Sequence, residues 1–405
     1  MRNTRKMIEE SAAHLQSAVE SGMMQVTIGA RQKKTVSLPG FPSVTEFINC
    51  SYLGLDTHPD LIAGAKRALD EWGIHFCCAR SRFSIQPNQL LEEELSALFG
   101  GRAITFPSVT SAHLSTLPLL AAGVLFPQGN RSTRLIFDRF AHASMQVLKP
   151  ILAQESEVVS ISHNHLEQLL DEVTKARQAN QVPIYVADGV YSMGGVAPLQ
   201  ELLRLAHQHD FYLYIDDAHG TSLFGSQGEG YCLQQTGPGL SPRIILTFSL
   251  AKGFGCNGGG VLVPHGFQEK AIRSYGTTYG FSAPLDFSVI GAALASVKLH
   301  KDGTVARLQH QLWSRLREFA EAPSEKEFVS PIAMVPTSGA DDCIEAGMKL
   351  KERGYFVSTV FFPVVARDQA QLRLCVSVDH SSEQLAGLRE SLRDLGLWPP
   401  EFATR

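Results

Sequence analysis

The chain has 405 residues, 44% apolar and 19% charged, with 36 Lys and Arg against 40 Asp and Glu for a net charge of −4. That length suggests two or three domains, and the composition excludes disordered and fibrous chains. The near-neutral balance carries no footprint for nucleic acid or an anionic membrane, and the longest apolar run, 117–127, is broken by Pro and Gly and falls short of the ~20 residues of a membrane span.

Residues 1–25 place Met7, Ile8, Ala12, Leu15 and Val19 at helical spacing. Met1 to Lys6 are basic, but Glu9 and Glu10 stand where a signal peptide would carry its apolar core, so no export signal is read. Seven Cys without a CxxC, in a chain that needs no disulfide to build a core, point to a reduced, cytoplasmic protein. From Phe47 onward, β-branched and aromatic runs alternate with helical stretches. Strands are predicted at 102–106, 134–138, 157–161, 183–188, 211–216, 243–248 and 259–263, and helices at 89–99, 111–120, 143–152, 166–179 and 199–209. Such alternation predicts an α/β fold with a mostly parallel central sheet covered on both faces. Helices at 285–300 and 305–320 follow. Strands at 332–336 and 357–361 then flank a helix at 341–353, and a strand at 371–378 and a helix at 382–395 end the pattern. The expected organisation is an N-terminal helix and arm (1–45), a large domain (46–285) and a smaller C-terminal α/β domain (286–405).

The chemistry-bearing residues stand at predicted strand ends. Lys252 lies in Thr247-Phe248-Ser249-Leu250-Ala251-Lys252-Gly253, among small and apolar neighbours. Desolvation there would lower its pKa toward nucleophilic use, although a Lys in a Gly-rich turn is ordinarily solvated. Asp216 ends an apolar strand and begins Asp216-Asp217-Ala218-His219-Gly220. A turn or capping aspartate is the plain alternative, but open parallel sheets keep their ligand crevice at this end. Asp216 precedes Lys252 by 36 positions, room for a crossover and a return strand. An Asp beside a Lys able to form a Schiff base is the pair that pyridoxal 5′-phosphate (PLP) requires: the acid keeps the pyridine nitrogen protonated and the Lys holds the aldehyde. His142 opens a predicted helix after a third strand, where its ring could stack on a cofactor or simply cap. Asp188-Gly189-Val190-Tyr191-Ser192 follows a fourth. One concave site accounts for all four.

Taken in order, Asp138-Arg139-x-x-His142-Ala143-Ser144, Asp188-Gly189-Val190-Tyr191-Ser192-Met193, Asp216-Asp217-Ala218-His219-Gly220 and Ser249-Leu250-Ala251-Lys252-Gly253 resemble the α-oxoamine synthase family of fold-type I PLP enzymes. The likeness runs from Tyr52-Leu53-Gly54-Leu55 to Leu372-Arg373-Leu374, about 320 residues. It implies a PLP-dependent acyltransferase that condenses an amino acid with an acyl thioester, on CoA or a carrier protein, with decarboxylation to an α-amino ketone. An aminotransferase or carbon–carbon lyase on the same fold, or a non-catalytic partner subunit, are the alternatives.

By the same resemblance, Lys252 is the Schiff-base lysine and the acid/base for Cα, Asp216 the partner of the pyridine nitrogen, and His219 a hydrogen-bond donor to the ring oxygen. His142 stacks on the ring and Ser192 lies beside it. Ser249 helps hold the phosphate, and Ser282 reaches it from the other subunit of a homodimer with shared sites. Arg373 receives the amino-acid carboxylate through a bidentate guanidinium, with Arg80 as the second candidate.

The chain departs from the family pattern in three places. Cys50-Ser51 stands for the usual Asn-Asp, and His75-Phe76-Cys77-Cys78-Ala79-Arg80 for a glycine-rich segment. Ser108-Val109-Thr110 replaces a Ser-Gly-aromatic start, although the hydroxyls of Ser108 and Thr110 and the free N–H groups around Val109 could still grip phosphate. The Ser-Leu-Ala-Lys form of the lysine motif is closer to the autoinducer-synthase branch than to the biotin-pathway branch. No metal site is expected: Cys77-Cys78 has poor ligand geometry and reads as packing, and Asn164 of His163-Asn164-His165 reads as a helix cap. Gly253-Phe254-Gly255 lacks the spacing of a dinucleotide fingerprint, and Lys33-Lys34 reads as surface charge.

Overall fold

The computed structural model describes residues 4–127, 129, 131–323 and 328–404. They form two compact units. The larger holds 55–191 and 196–307, and the smaller holds the chain up to Gly54, 192–195 and 308 onward.

The larger unit is built on a seven-stranded sheet. Its strand order is Arg102–Phe106, Gly259–Val263, Ile244–Ser249, Tyr212–Asp216, Val182–Asp188, Thr133–Asp138, Glu157–Ile161. The last five are mutually parallel, whereas Gly259–Val263 runs antiparallel to both its neighbours. The mostly parallel sheet predicted from the alternation is therefore present. Thr133–Asp138, Val182–Asp188 and Ile244–Ser249 are buried at every position, as expected of strands covered on both faces. Ile104, Leu135, Phe137, Ile184, Val186 and Val261 share one core cluster with Leu117 and Leu120 of the helix Val109–Ala121.

The helix Phe287–Lys301, expected in the small domain, packs instead on the helix Pro59–Trp72 of the larger unit. The contact is close because both helices present glycine at the crossing. A Cβ on Gly64 would sit 2.4 Å from the Gly291 carbonyl oxygen, and one on Gly291 2.3 Å from that of Gly64. The single helix expected over 143–152 is two short ones, Ala143–Gln146 and Lys149–Leu152, with Pro150 starting the second.

In the smaller unit, four antiparallel strands run in the order Ser358–Val360, Gln371–Cys375, Phe328–Pro336, Glu401–Thr404. A second sheet joins Ala30–Gln32, Thr35–Leu38 and Phe41–Glu46 to Tyr355–Phe356. The expected arm is thus a three-stranded ribbon sharing one core with the C-terminal segment: Val36, Val44 and Phe47 cluster with Phe356, Leu372 and Leu388. Lys34, expected on the surface, is 1% exposed, 3.1 Å from Glu46 and hydrogen-bonded to the Asn49 carbonyl. Only Lys33 of that pair is exposed, beside Asp379.

Candidate active site

Each parallel strand ends on the same edge of the larger unit, where a ligand crevice belongs in an open α/β sheet. A cavity of about 150 Å³ opens there. Val109, Thr110, His142, Asp188, Asp216, His219 and Lys252 are among its walls. Four separate βα junctions and the lysine turn therefore converge, because parallel strands of similar length finish level with one another. Of the residues read from the sequence, Lys252, Asp216, His219, His142, Val109 and Thr110 meet in this cavity.

Asp216 is 5% exposed, its Oδ1 accepting the Ala218 N–H at 3.0 Å and its Oδ2 lying 3.0 Å from His113 Nε2. Burial pushes its pKa up. The His113 hydrogen bond and the charges of His113, Lys252 and His142 outweigh that and hold it at about 2. His113 was not foreseen. It is fully buried on the helix Val109–Ala121 with Nδ1 2.9 Å from the Tyr214 hydroxyl. The available signal was its position one helical turn beyond Val109 and Thr110, on the face they share.

The neighbouring acid behaves differently. Asp217 Oδ2 accepts the Cys232 N–H at 3.0 Å, while Oδ1 has no hydrogen-bond partner among the described residues. Burial, with Asp216 beside it, pushes its pKa up to about 8. Asp188 also sits in the wall, raised well above the carboxylate range by burial and the Asp216 charge, and its Oδ1 accepts the His142 N–H at 2.9 Å. That bond fixes the start of the helix Ala143–Gln146, and His142 Nδ1 lies 2.7 Å from Ser144 Oγ.

Ser249 ends its strand with Oγ accepting the Ala251 N–H at 3.1 Å, which shapes the turn leading to Lys252. Ser108 is the N-cap of the helix Val109–Ala121, its Oγ accepting the Ser111 N–H at 3.0 Å. Neither is among the lining residues, nor are Ser282, whose Oγ donates to the Ala283 carbonyl at 3.3 Å, and Arg80. The Arg80 side chain is 6% exposed, paired with Glu92 at 2.7 Å, bonded to the Thr105 carbonyl and stacked 4.2 Å over Tyr279. The helix cap expected at Asn164 is His165, which accepts the Gln168 N–H; Asn164 takes φ 51 and donates to the Val196 carbonyl. Cys77, expected to pack, is exposed.

Within the smaller unit, Arg373 is 8% exposed on a strand flanked on both sides, which removes a solvent-facing arginine at a sheet edge. Its Nε donates to the Ser192 carbonyl at 2.7 Å and its Nη1 to Cys375 Sγ at 3.0 Å.

Residues 49–392 match the family model for aminotransferase class I and II. An 8-amino-7-oxononanoate synthase of Methylococcus capsulatus is 31% identical over 375 residues, covering 90% of this chain and 92% of that one. A 2-amino-3-ketobutyrate coenzyme A ligase of Escherichia coli K12 is 27% identical over 382 residues, covering 91% and 92%. Among solved structures, one of SPT, a serine palmitoyltransferase, with PLP superposes with a TM-score of 0.84 at 23% identity, covering 98% of this chain and 100% of that one. With its parallel sheet, its convergent strand ends and these relatives, the chain belongs to the aminotransferase class I and II family, among the α-oxoamine synthases.

Proposed function

We propose that this protein is a PLP-dependent acyltransferase that joins an amino acid to an acyl thioester, on CoA or a carrier protein, and releases an α-amino ketone after loss of the carboxylate. The observation that carries the reading is the convergence of Lys252, Asp216, His219 and His142 on one cavity. The residues fit the cofactor. A buried carboxylate held ionised by His113 suits a protonated pyridine nitrogen, and the N-terminal turn of a 13-residue helix, at Val109 and Thr110, opens on the cavity where a phosphate would be held. When bound, PLP supplies an electron sink for negative charge at the amino-acid Cα.

The chain's own residues do the rest. Lys252 anchors the cofactor through its amine and, once freed, takes the Cα proton and returns one. Asp216 keeps a proton on the ring nitrogen, His219 hydrogen-bonds the ring oxygen, and His142 offers its imidazole face. Ser249 and Ser108 stabilise the turns that bear these groups, Ser192 lies beside the ring, and Arg373 orients the substrate carboxylate. The working unit is a homodimer in which Ser282 completes the partner's phosphate site.

The test is a thiol-release assay on PLP-loaded protein with amino acids and acyl-CoA or acyl-carrier thioesters, followed by mass analysis of the ketone. Lys252→Ala should lose both the visible absorbance band and turnover. Keto-acid exchange without thiol release would establish an aminotransferase instead, and no band after PLP addition would leave a non-catalytic subunit.

A further inference from the structure

The smaller unit contains a thiol pair that the proposed reaction does not use. Cys50 and Cys375 are 325 positions apart, yet their sulfurs lie 4.0 Å from each other. The segment around Cys50 is clamped against the end of the strand Gln371–Cys375 by main-chain bonds on both sides. Cys375 N–H donates to the Phe47 carbonyl at 2.8 Å and Val378 N–H to the Tyr52 carbonyl at 3.0 Å. Between them, Ser377 Oγ donates to the Ser51 carbonyl at 2.9 Å. A disulfide needs about 2.05 Å between sulfurs, so closure asks for roughly 2 Å of side-chain movement rather than a rearranged backbone. Arg373 lies over the pair, with Nη1 3.0 Å from Cys375 Sγ and Nη2 3.7 Å from Cys50 Sγ.

We propose that Cys50 and Cys375 are a redox modification site, closing to a reversible disulfide when the protein meets a hydroperoxide. The cation next to them favours a thiolate, the reactive form. The two sulfurs divide the work: the Cys375 hydrogen bond, with Arg373 and Tyr52, outweighs burial and lowers the Cys50 pKa, and the same coupling raises that of Cys375. Cys50 is also the partly exposed member, while Cys375 is buried. The Cys50 thiolate attacks the peroxide, forming an S–O bond as the O–O bond breaks and the alcohol or water leaves. Cys375 then attacks that sulfur, forming S–S and expelling water. Two thiols lose two electrons and two protons, and the hydroperoxide is reduced to alcohol and water. A dithiol reverses the step by exchange. Three of the other thiols are poorer candidates: burial pushes Cys232 and Cys343 up and Cys256 to about 12. Because a disulfide is neutral, closure removes an anionic competitor from Arg373. Resting on the proposed role of Arg373, the oxidised enzyme should bind its amino acid several-fold more tightly.

The experiment treats the whole protein with stoichiometric hydrogen peroxide at pH 7, alkylates it under denaturing conditions and maps the peptides by mass spectrometry. A Cys50–Cys375 linked peptide, two hydrogens lighter and lost on dithiothreitol treatment, is expected. Cys375→Ser should stop Cys50 at a dimedone-reactive sulfenic acid, and Cys50→Ser should leave Cys375 reduced. Arg373→Gln should slow Cys50 oxidation at least tenfold; should that variant not fold, wild-type Cys50 alkylation that persists from pH 8 down to pH 6 makes the same point. Both cysteines alkylated in treated wild type, or linkage confined to Cys77 and Cys78, would overturn the proposal. This mapping needs no turnover, so it stands apart from the proposed reaction; unchanged amino-acid affinity in a linked protein would count against the role of Arg373 alone.

Discussion

Two adjacent carboxylates, Asp216 and Asp217, are buried side by side and take opposite charge states. Asp216 faces His113 and stays ionised, whereas Asp217 meets only the backbone N–H groups of Cys232 and Tyr231, too little to offset its burial, and keeps its proton to about pH 8. Between the unfolded carboxylate pKa near 4 and the folded value near 8, the native state binds the extra proton, so Asp217 makes stability fall as pH rises across that window. Asp217→Asn keeps the shape and removes the penalty. Urea melts should coincide near pH 4 and separate as pH rises, the variant ahead by on the order of several kcal/mol at pH 8. Asp216 works the other way, contributing stability above pH 4 that is lost as pH falls toward 2. Replacing its partner, His113→Phe, should raise the Asp216 pKa, measurable by NMR titration of the cofactor-free protein; an unmoved titration would remove His113 as its positioning residue.

The Gly64–Gly291 crossing places two helix backbones in contact, so a single methyl group must push them apart. Gly64→Ala should cost roughly 1–3 kcal/mol, the range of overpacking, and lower the urea midpoint without altering the slope. The Lys34–Glu46 pair makes a complementary case. Lys34→Met strands the Glu46 carboxylate in the core and should cost about 3–5 kcal/mol, while pairing it with Glu46→Gln, whose uncharged amide oxygen still accepts the Ile48 and Asn49 N–H groups, should recover most of that. These same elements show what the sequence could reveal. Strands such as Val182–Asp188 were legible because burial on both faces leaves an unbroken apolar run. That Lys252, Asp216, His219 and His142 would meet in one cavity was legible because each follows such a run. The ribbon over Ala30–Glu46 was not: its strands are three to six residues long, its inner face alternates with polar positions, and its neighbour is Tyr355–Phe356. His113 escaped for a similar reason, since its partner lies 103 positions away and nothing local marks an acceptor. Lys34 looked solvated because a buried ion pair is invisible until both partners are placed.

At the scale of the molecule, the larger unit carries apolar side chains on its surface: Phe76, Phe83 and Tyr275 are exposed, and Phe281, next to Ser282, is 90% exposed. Aromatic groups left in water suit a subunit interface, the setting proposed for Ser282. Sedimentation should give a dimer, and Phe281→Asp should shift it toward monomer with at least a tenfold weaker association. Mixing Lys252→Ala chains with a severe Ser282 variant should restore part of the activity, because one of the two sites in each heterodimer is then whole.

The smaller unit is stitched from the two ends of the chain, and that has a consequence for how the protein is made. Thr45 pairs with Tyr355, some 310 positions later. At roughly 5–20 residues per second on the ribosome, the N-terminal ribbon waits about 15–60 s for the strand it pairs with. During that interval Val36, Val44 and Phe47 lack the C-terminal side chains that complete their core, while the larger unit has all of its sheet once Val263 has emerged. Synthesis thus yields a finished centre with an unfinished beginning. Protease challenge of ribosome-stalled chains ending near residue 340 should clip residues 20–50 while sparing 100–300, and protection of the ribbon should appear only after the chain has passed residue 390.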